Sequence, residues 1–110
     1  MTDIKTTIEQ TVATNPIVVY MRGTPQQPRC GFSATVVEIF KRLDLPFTAF
    51  NADADDTLWE TLSKMNDWPT MPQIYIGGEF MGGCDILKEM YLNGELQQLL
   101  ADKGLISPAA

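Results

Sequence analysis

Two residues carry a sulfur able to act as nucleophile or metal ligand, Cys30 and Cys84, and the chain has no histidine. Without histidine, Ser-His-Asp and Cys-His catalysis are excluded and the commonest zinc ligand is missing. Two thiolates cannot close a four-ligand structural metal site within one chain. Cys30 follows a polar loop, Arg22 to Arg29, and opens a helical pattern. The first N–H groups of a helix are unpaired and together carry roughly half a positive charge. A thiolate placed there is stabilised, and Arg22 and Arg29 add positive charge nearby. The competing role for Cys30 is that of a small packing residue on the inner face of the helix. Cys30-Gly31-Phe32-Ser33 has the spacing of a Cys-x-x-Cys motif with serine in the second place. A dithiol of that spacing closes its own disulfide and releases its substrate; here a mixed disulfide on Cys30 waits for an outside thiol. The chain is therefore expected to be a poor general disulfide reductase whose thiolate is free to act as a soft metal ligand.

The elements that position this sulfur are legible from periodicity. Ile4, Ile8 and Val12 recur every four residues and predict a helix over 3–14, ended by Asn15-Pro16. Ile17 to Met21 is a short, continuously apolar strand of the kind buried on both faces. The helix opened by Cys30 places Val36, Val37, Ile39, Phe40 and Leu43 toward a core, with Lys41 and Arg42 suited to its C-terminal dipole. Residues 46–51 read as a second strand, parallel to the first because a helix connects them. An acidic start at 53–56 begins a third helix, running to about Asn66 with Leu58 and Leu62 inward. Trp68 to Pro72 is a rigid turn, and 73–76 and 79–81 form a hairpin across Gly77-Gly78. A last helical region runs from Cys84 to Tyr91, breaks at Asn93-Gly94 and resumes over 95–102, before a frayed end at 106–110. This order gives an α/β, thioredoxin-like fold: a four-stranded mixed sheet flanked by helices.

The 110 residues are the size of one domain. Eight Lys and Arg against fourteen Asp and Glu give a net charge of -6, which repels a phosphate backbone, so no nucleic-acid partner is expected. The longest apolar run, Ile17 to Met21, is far too short to span a membrane. The first sixteen residues resemble neither a secretory signal nor a transit peptide, so a reducing compartment is expected, a bacterial cytoplasm first and a processed organellar form as the alternative.

Three blocks in order carry a resemblance: Met21-Arg22-Gly23-Thr24-Pro25, Cys30-Gly31-Phe32-Ser33, and Trp68-Pro69-Thr70-Met71-Pro72 running on to Gly82-Gly83-Cys84-Asp85-Ile86. Over about residues 3–103 the chain resembles the short, single-domain monothiol glutaredoxins of bacteria and mitochondria. The resemblance implies a glutaredoxin fold with a cis peptide before Pro72 and a groove that holds glutathione. It also implies a [2Fe-2S] cluster shared between two chains, with Cys30 and one glutathione thiol from each side as the four ligands. Thr70, Met71 and Pro72 would meet the glutathione backbone, with the N–H and C=O of Met71 pairing like an added strand. Cys84 and Asp85 would hold its γ-glutamyl end, the Asp85 carboxylate against the ammonium; the competing role for Asp85 is a plain helix-start carboxylate. Gly83, with Gly82, would let backbone approach the ligand closely. Cys84 by its side chain reads as a small buried residue, with a disulfide to Cys30 as the alternative.

Two departures accompany the resemblance. Arg22 stands where the family usually has lysine, near the cysteine and the glycyl carboxylate of glutathione; charge is kept and shape is not. Positions where many relatives hold that carboxylate with basic residues fall on Trp59 and Ser63, and Lys64 faces about 100° away round the helix. Weaker glutathione affinity or a looser cluster is expected. Trp59 is otherwise a partner-surface aromatic or ordinary packing. The family implies a carrier of clusters that is a homodimer when loaded, works with a BolA-like protein and delivers to apo iron–sulfur acceptors. The alternative is a glutathione-dependent thiol–disulfide oxidoreductase that removes glutathione from protein thiols, against which the crowded loop 24–29 argues.

Overall fold

The structure is a computed structural model that describes residues 3–106; residues 107–110 of the anticipated frayed end lie outside the described residues. Helix α1 (Ile4–Thr14) is capped by Asp3, whose side chain accepts the Thr6 N–H at 2.7 Å. It stops at Asn15, which is extended because the Pro16 ring disfavours helical backbone before it. Strand β1 (Ile17–Met21) follows, then α2 (Gly31–Arg42), β2 (Thr48–Asn51), α3 (Asp56–Asn66), the hairpin β3 (Gln73–Ile76) and β4 (Glu79–Gly82), α4 (Cys84–Asn93) and α5 (Glu95–Asp102). The sheet order is β2-β1-β3-β4, with β1 parallel to β2 and antiparallel to β3. The four-stranded mixed sheet anticipated from the sequence is therefore the one observed.

Every residue of β1 is buried because both faces of the sheet are covered. Ile17, Val19 and Met21 join Val36, Phe40, Leu87 and Leu96 in one core, under α2, α4 and α5. Val18 and Tyr20 join Ile8, Leu62 and Tyr75 in a second core, under α1 and α3. Alternation along one strand thus feeds two hydrophobic layers, which explains why β1 reads as a continuous apolar run.

Two local differences from the sequence reading bear on the site. Strand β2 pairs with β1 only from Thr48, two residues later than expected; Pro46 has no N–H to give a ladder. The third helix is preceded by a single 3-10 turn, Ala52–Ala54. The Asn51 side-chain oxygen causes this turn: it accepts the Asp53 N–H at 3.0 Å and, from the loop after β1, the Gly23 N–H at 3.0 Å. Asp55 then caps α3 through the Thr57 and Leu58 N–H groups.

The loop between β1 and α2 is closed on itself. Thr24 and Gln27 exchange backbone hydrogen bonds at 3.2 and 3.0 Å, and the Arg29 N–H donates to the Arg22 carbonyl at 2.9 Å. Gly23 sits at φ +84 inside this knot, and a Cβ there would strike the Gln27 carbonyl and the Arg29 amide. Gly23→Ala is therefore expected to lower the unfolding free energy by about 2 kcal/mol or more. Urea denaturation measures this; a loss below about 0.5 kcal/mol would contradict the strain argument.

Candidate functional site

Cys30 is the N-cap residue of α2, and its half-buried sulfur accepts the Ser33 N–H at 3.3 Å. The Ser33 hydroxyl lies at the same 3.3 Å distance and accepts the Arg22 N–H at 3.0 Å. As a thiol, Cys30 donates to that hydroxyl. As a thiolate it becomes the acceptor, because the Ser33 proton is free to turn toward it while Arg22 fills a lone pair. Ser33 is fully buried, so this second donor is held in place by packing. The serine of the motif is thus a fixed hydrogen-bond partner beneath the sulfur, beyond being a missing thiol.

A groove of about 720 Å³ opens beside the sulfur, where the end of β1, the start of α2, the 68–72 turn and the start of α4 meet. Arg22, Cys30, Thr70, Met71, Pro72, Gly83, Cys84 and Asp85, the residues singled out in the sequence, all line it. The Met71–Pro72 peptide is cis, as the resemblance implies. The Met71 side chain is buried, and its N–H and C=O make no backbone hydrogen bond among the described residues. An extended peptide laid along this turn would therefore find an unpaired donor and acceptor.

Gln73 supports the turn and was not anticipated from the sequence. Fully buried, its amide nitrogen donates to the Trp68 carbonyl at 2.8 Å and the Thr70 carbonyl at 3.3 Å. Its oxygen accepts from Asn66 Nδ2 at 2.9 Å. Gln73→Leu removes these bonds to partly buried partners and is expected to cost about 1–2 kcal/mol of stability. Thermal melting checks this, and an unchanged midpoint would contradict it.

The other expectations resolve individually. Gly83 does make a close approach, but to Trp68: a Cβ would lie 3.2 Å from the indole nitrogen. Trp68 in turn packs edge-on against Phe80, with ring centroids 5.9 Å apart, and walls the groove. Cys84 is buried and free, and burial, with the Asp85 charge second, pushes its thiol above the usual range. Both cysteines are unlinked. Asp85 is exposed in the first turn of α4, where the helix N–H groups also face the groove. Trp59 is a groove wall rather than a free patch; its ring nitrogen donates to the Pro69 carbonyl at 3.2 Å.

Arg22 is committed more firmly than the sequence suggests. Its Nε donates to both Asp53 oxygens, at 3.1 and 3.2 Å, and its guanidinium carbon stands 5.9 Å from the Trp59 ring centroid. Arg29, Ser63 and Lys64 do not line the groove. Residues 24–29 do not line it either. Phe32, Thr35, Ile86 and Lys88 line it and were missed. Lys88 had a readable signal, since three residues after Asp85 a helix returns to the same face.

Chemically, the site can present one partly exposed sulfur as a soft ligand or nucleophile and hold a small peptide beside it. Among the described residues no group of three or more His, Cys, Asp or Glu could hold a metal ion within the chain. Nor is any helix among them long and apolar enough to cross a membrane.

Comparison with known proteins agrees with this geometry. The glutaredoxin family profile matches residues 17–81. A probable monothiol glutaredoxin 2 of the bacterium Rickettsia typhi is 49% identical over 96 residues, covering 87% of this chain and 86% of that one. Reduced apo GrxS14 of poplar superposes with a TM-score of 0.81 at 44% identity, covering 94% of both chains. Buckwheat glutaredoxin, solved as a glutathione complex, superposes with a TM-score of 0.83 at 27% identity, covering 94% of this chain and 93% of that one. With one usable thiol at the head of α2, a cis-proline turn across the groove and these relatives over most of its length, the chain belongs to the glutaredoxin family, among its monothiol members.

Proposed function

We propose that this chain binds glutathione in the groove and, through Cys30, carries a [2Fe-2S] cluster bridged between two protomers, for use in iron–sulfur cluster assembly. The observation that carries the reading is one half-buried sulfur at the groove, hydrogen-bonded to the Ser33 N–H and hydroxyl, while the second cysteine is buried and its thiol pushed above the usual range. A [2Fe-2S] cluster takes four soft ligands. One chain offers one, so two chains and two small thiols complete the set.

The groove suits glutathione as that thiol. Its volume of about 720 Å³ falls within the range of small-ligand sites. The unpaired Met71 backbone takes the peptide as an added strand, between Thr70 and Pro72. Asp85 faces the ammonium of the γ-glutamyl group, and the first N–H groups of α4, at Cys84 and Asp85 beyond Gly83, take its carboxylate. Arg22 stands at the glycyl end. Phe32 and Ile86, 59% and 40% exposed, put apolar surface at the mouth of the groove, where a second protomer would meet the first across the cluster. The relation to Rickettsia proteins favours a bacterial cytoplasm as the setting. Apo iron–sulfur proteins are the acceptors this role implies, with a BolA-like protein as a further proposed partner.

Anaerobic reconstitution with iron, sulfide and glutathione tests the reading: a brown dimer is expected only when glutathione is present. A colourless monomer at every glutathione concentration would overturn it. The same partly exposed sulfur also supports a second reaction, slow removal of glutathione from protein thiols, because that exchange needs only the first cysteine. Turnover of a glutathionylated peptide measures its share.

A further inference from the structure

We infer that Asp53 is a positioning residue that weakens the grip of the groove on a ligand's C-terminal carboxylate and so relaxes specificity at that end; the inference rests on the glutathione reading above. Asp53 does not line the groove, whereas Arg22 and Trp59 do. It acts through Arg22. Both of its oxygens lie within 3.2 Å of Arg22 Nε, and its own backbone is pinned by the Asn51 side chain at 3.0 Å. The guanidinium is therefore tied back on the Asp53 side and spread toward Trp59, which the Pro69 carbonyl fixes in turn.

This tether has two consequences for a bound anion. One of the five guanidinium donors is already used, so the edge that includes Nε cannot form the paired contact with a ligand carboxylate. The positive charge also stands beside a fixed negative one, so an approaching carboxylate meets a nearly neutral pair. The pair is part exposed, 45% for Arg22 and 24% for Asp53, so solvent screening keeps the effect modest. Among the described residues lining the groove, Lys88 is the one other cation, and it lies on α4 with Asp85. The ligand class that follows is a γ-glutamylcysteinyl thiol whose C-terminal group need not be ionised.

Calorimetric binding of reduced glutathione and of its glycine amide to the full chain tests this, using the unaltered protein, Asp53→Asn and Asp53→Ala. The unaltered protein is expected to bind the two ligands within about twofold of each other. Both variants should tighten glutathione about threefold and leave the amide unchanged, the size an exposed charge pair sustains. Adding Arg22→Gln to Asp53→Asn should erase that gain, a coupling that a merely structural role for Asp53 would not produce. Equal affinities in all proteins, or a gain shared by both ligands, would overturn the inference while leaving glutathione binding intact. Absence of binding by either ligand to any of the proteins would overturn the glutathione reading and this inference with it.

Discussion

Cys30→Ser is expected to yield a colourless monomer under conditions that turn the unaltered protein brown. A hydroxyl is a hard, poorly ionised donor, and iron–sulfur clusters are held by thiolates. In this chain the loss cannot be made good locally, because Cys84 is buried and its thiol is pushed above the usual range by that burial. Visible absorbance per chain should fall to the level of the unloaded protein, with folding unaffected by far-ultraviolet circular dichroism. Cys84→Ala is the matched comparison and should retain most of the colour. A coloured dimer from Cys30→Ser, or a colourless one from Cys84→Ala with Cys30 intact, would reverse the assignment of the sulfur ligand.

Ser33→Cys should convert the site into one that resolves its own mixed disulfides. The Ser33 oxygen already lies 3.3 Å from the Cys30 sulfur, and a disulfide needs about 2.05 Å, so a small approach suffices. Treated with glutathione disulfide, the unaltered chain should keep one glutathione on Cys30. The variant should expel it as the new thiolate attacks, leaving an internal disulfide. Holding the second sulfur in place should raise the rate of glutathione release about tenfold or more over attack by dilute external thiol. Mass measurement over time distinguishes the two states. A stable glutathione adduct on the variant would show that the buried Ser33 position cannot deliver a nucleophile.

Much of this was legible in the sequence where one physical signal dominated. The continuous run of β1, the glycine pair of the hairpin and the acidic caps fixed the order of elements, because burial periodicity and turn chemistry act over a few residues. The position of Cys30 was readable for the same reason: a polar loop gave way to a helical pattern at that residue. Contacts made across long separations were not readable. Asp53 pairs with Arg22 across 31 positions, and no spacing rule connects them. The Asn51 oxygen that bends the chain into a 3-10 turn serves two loops at once, so the acidic stretch looked like an uninterrupted helix start. Gln73 sits in an otherwise apolar strand, and its partners are carbonyls of a turn whose path emerges only on folding.

Charge explains the remaining departure. Of the two α3 positions, Trp59 lines the groove and Ser63 does not. The Trp59 ring lies beside Arg22, and the Ser63 hydroxyl is buried without a hydrogen-bond partner among the described residues. On the proposed glutathione reading, the glycyl end meets one tethered guanidinium and a flat apolar wall.

Native mass measurement of the anaerobically reconstituted protein tests the central claim most directly. The expected complex contains two chains, one [2Fe-2S] cluster and two glutathione molecules, and it falls apart when glutathione is removed. A cluster held by one chain, or by two chains without glutathione, would contradict it.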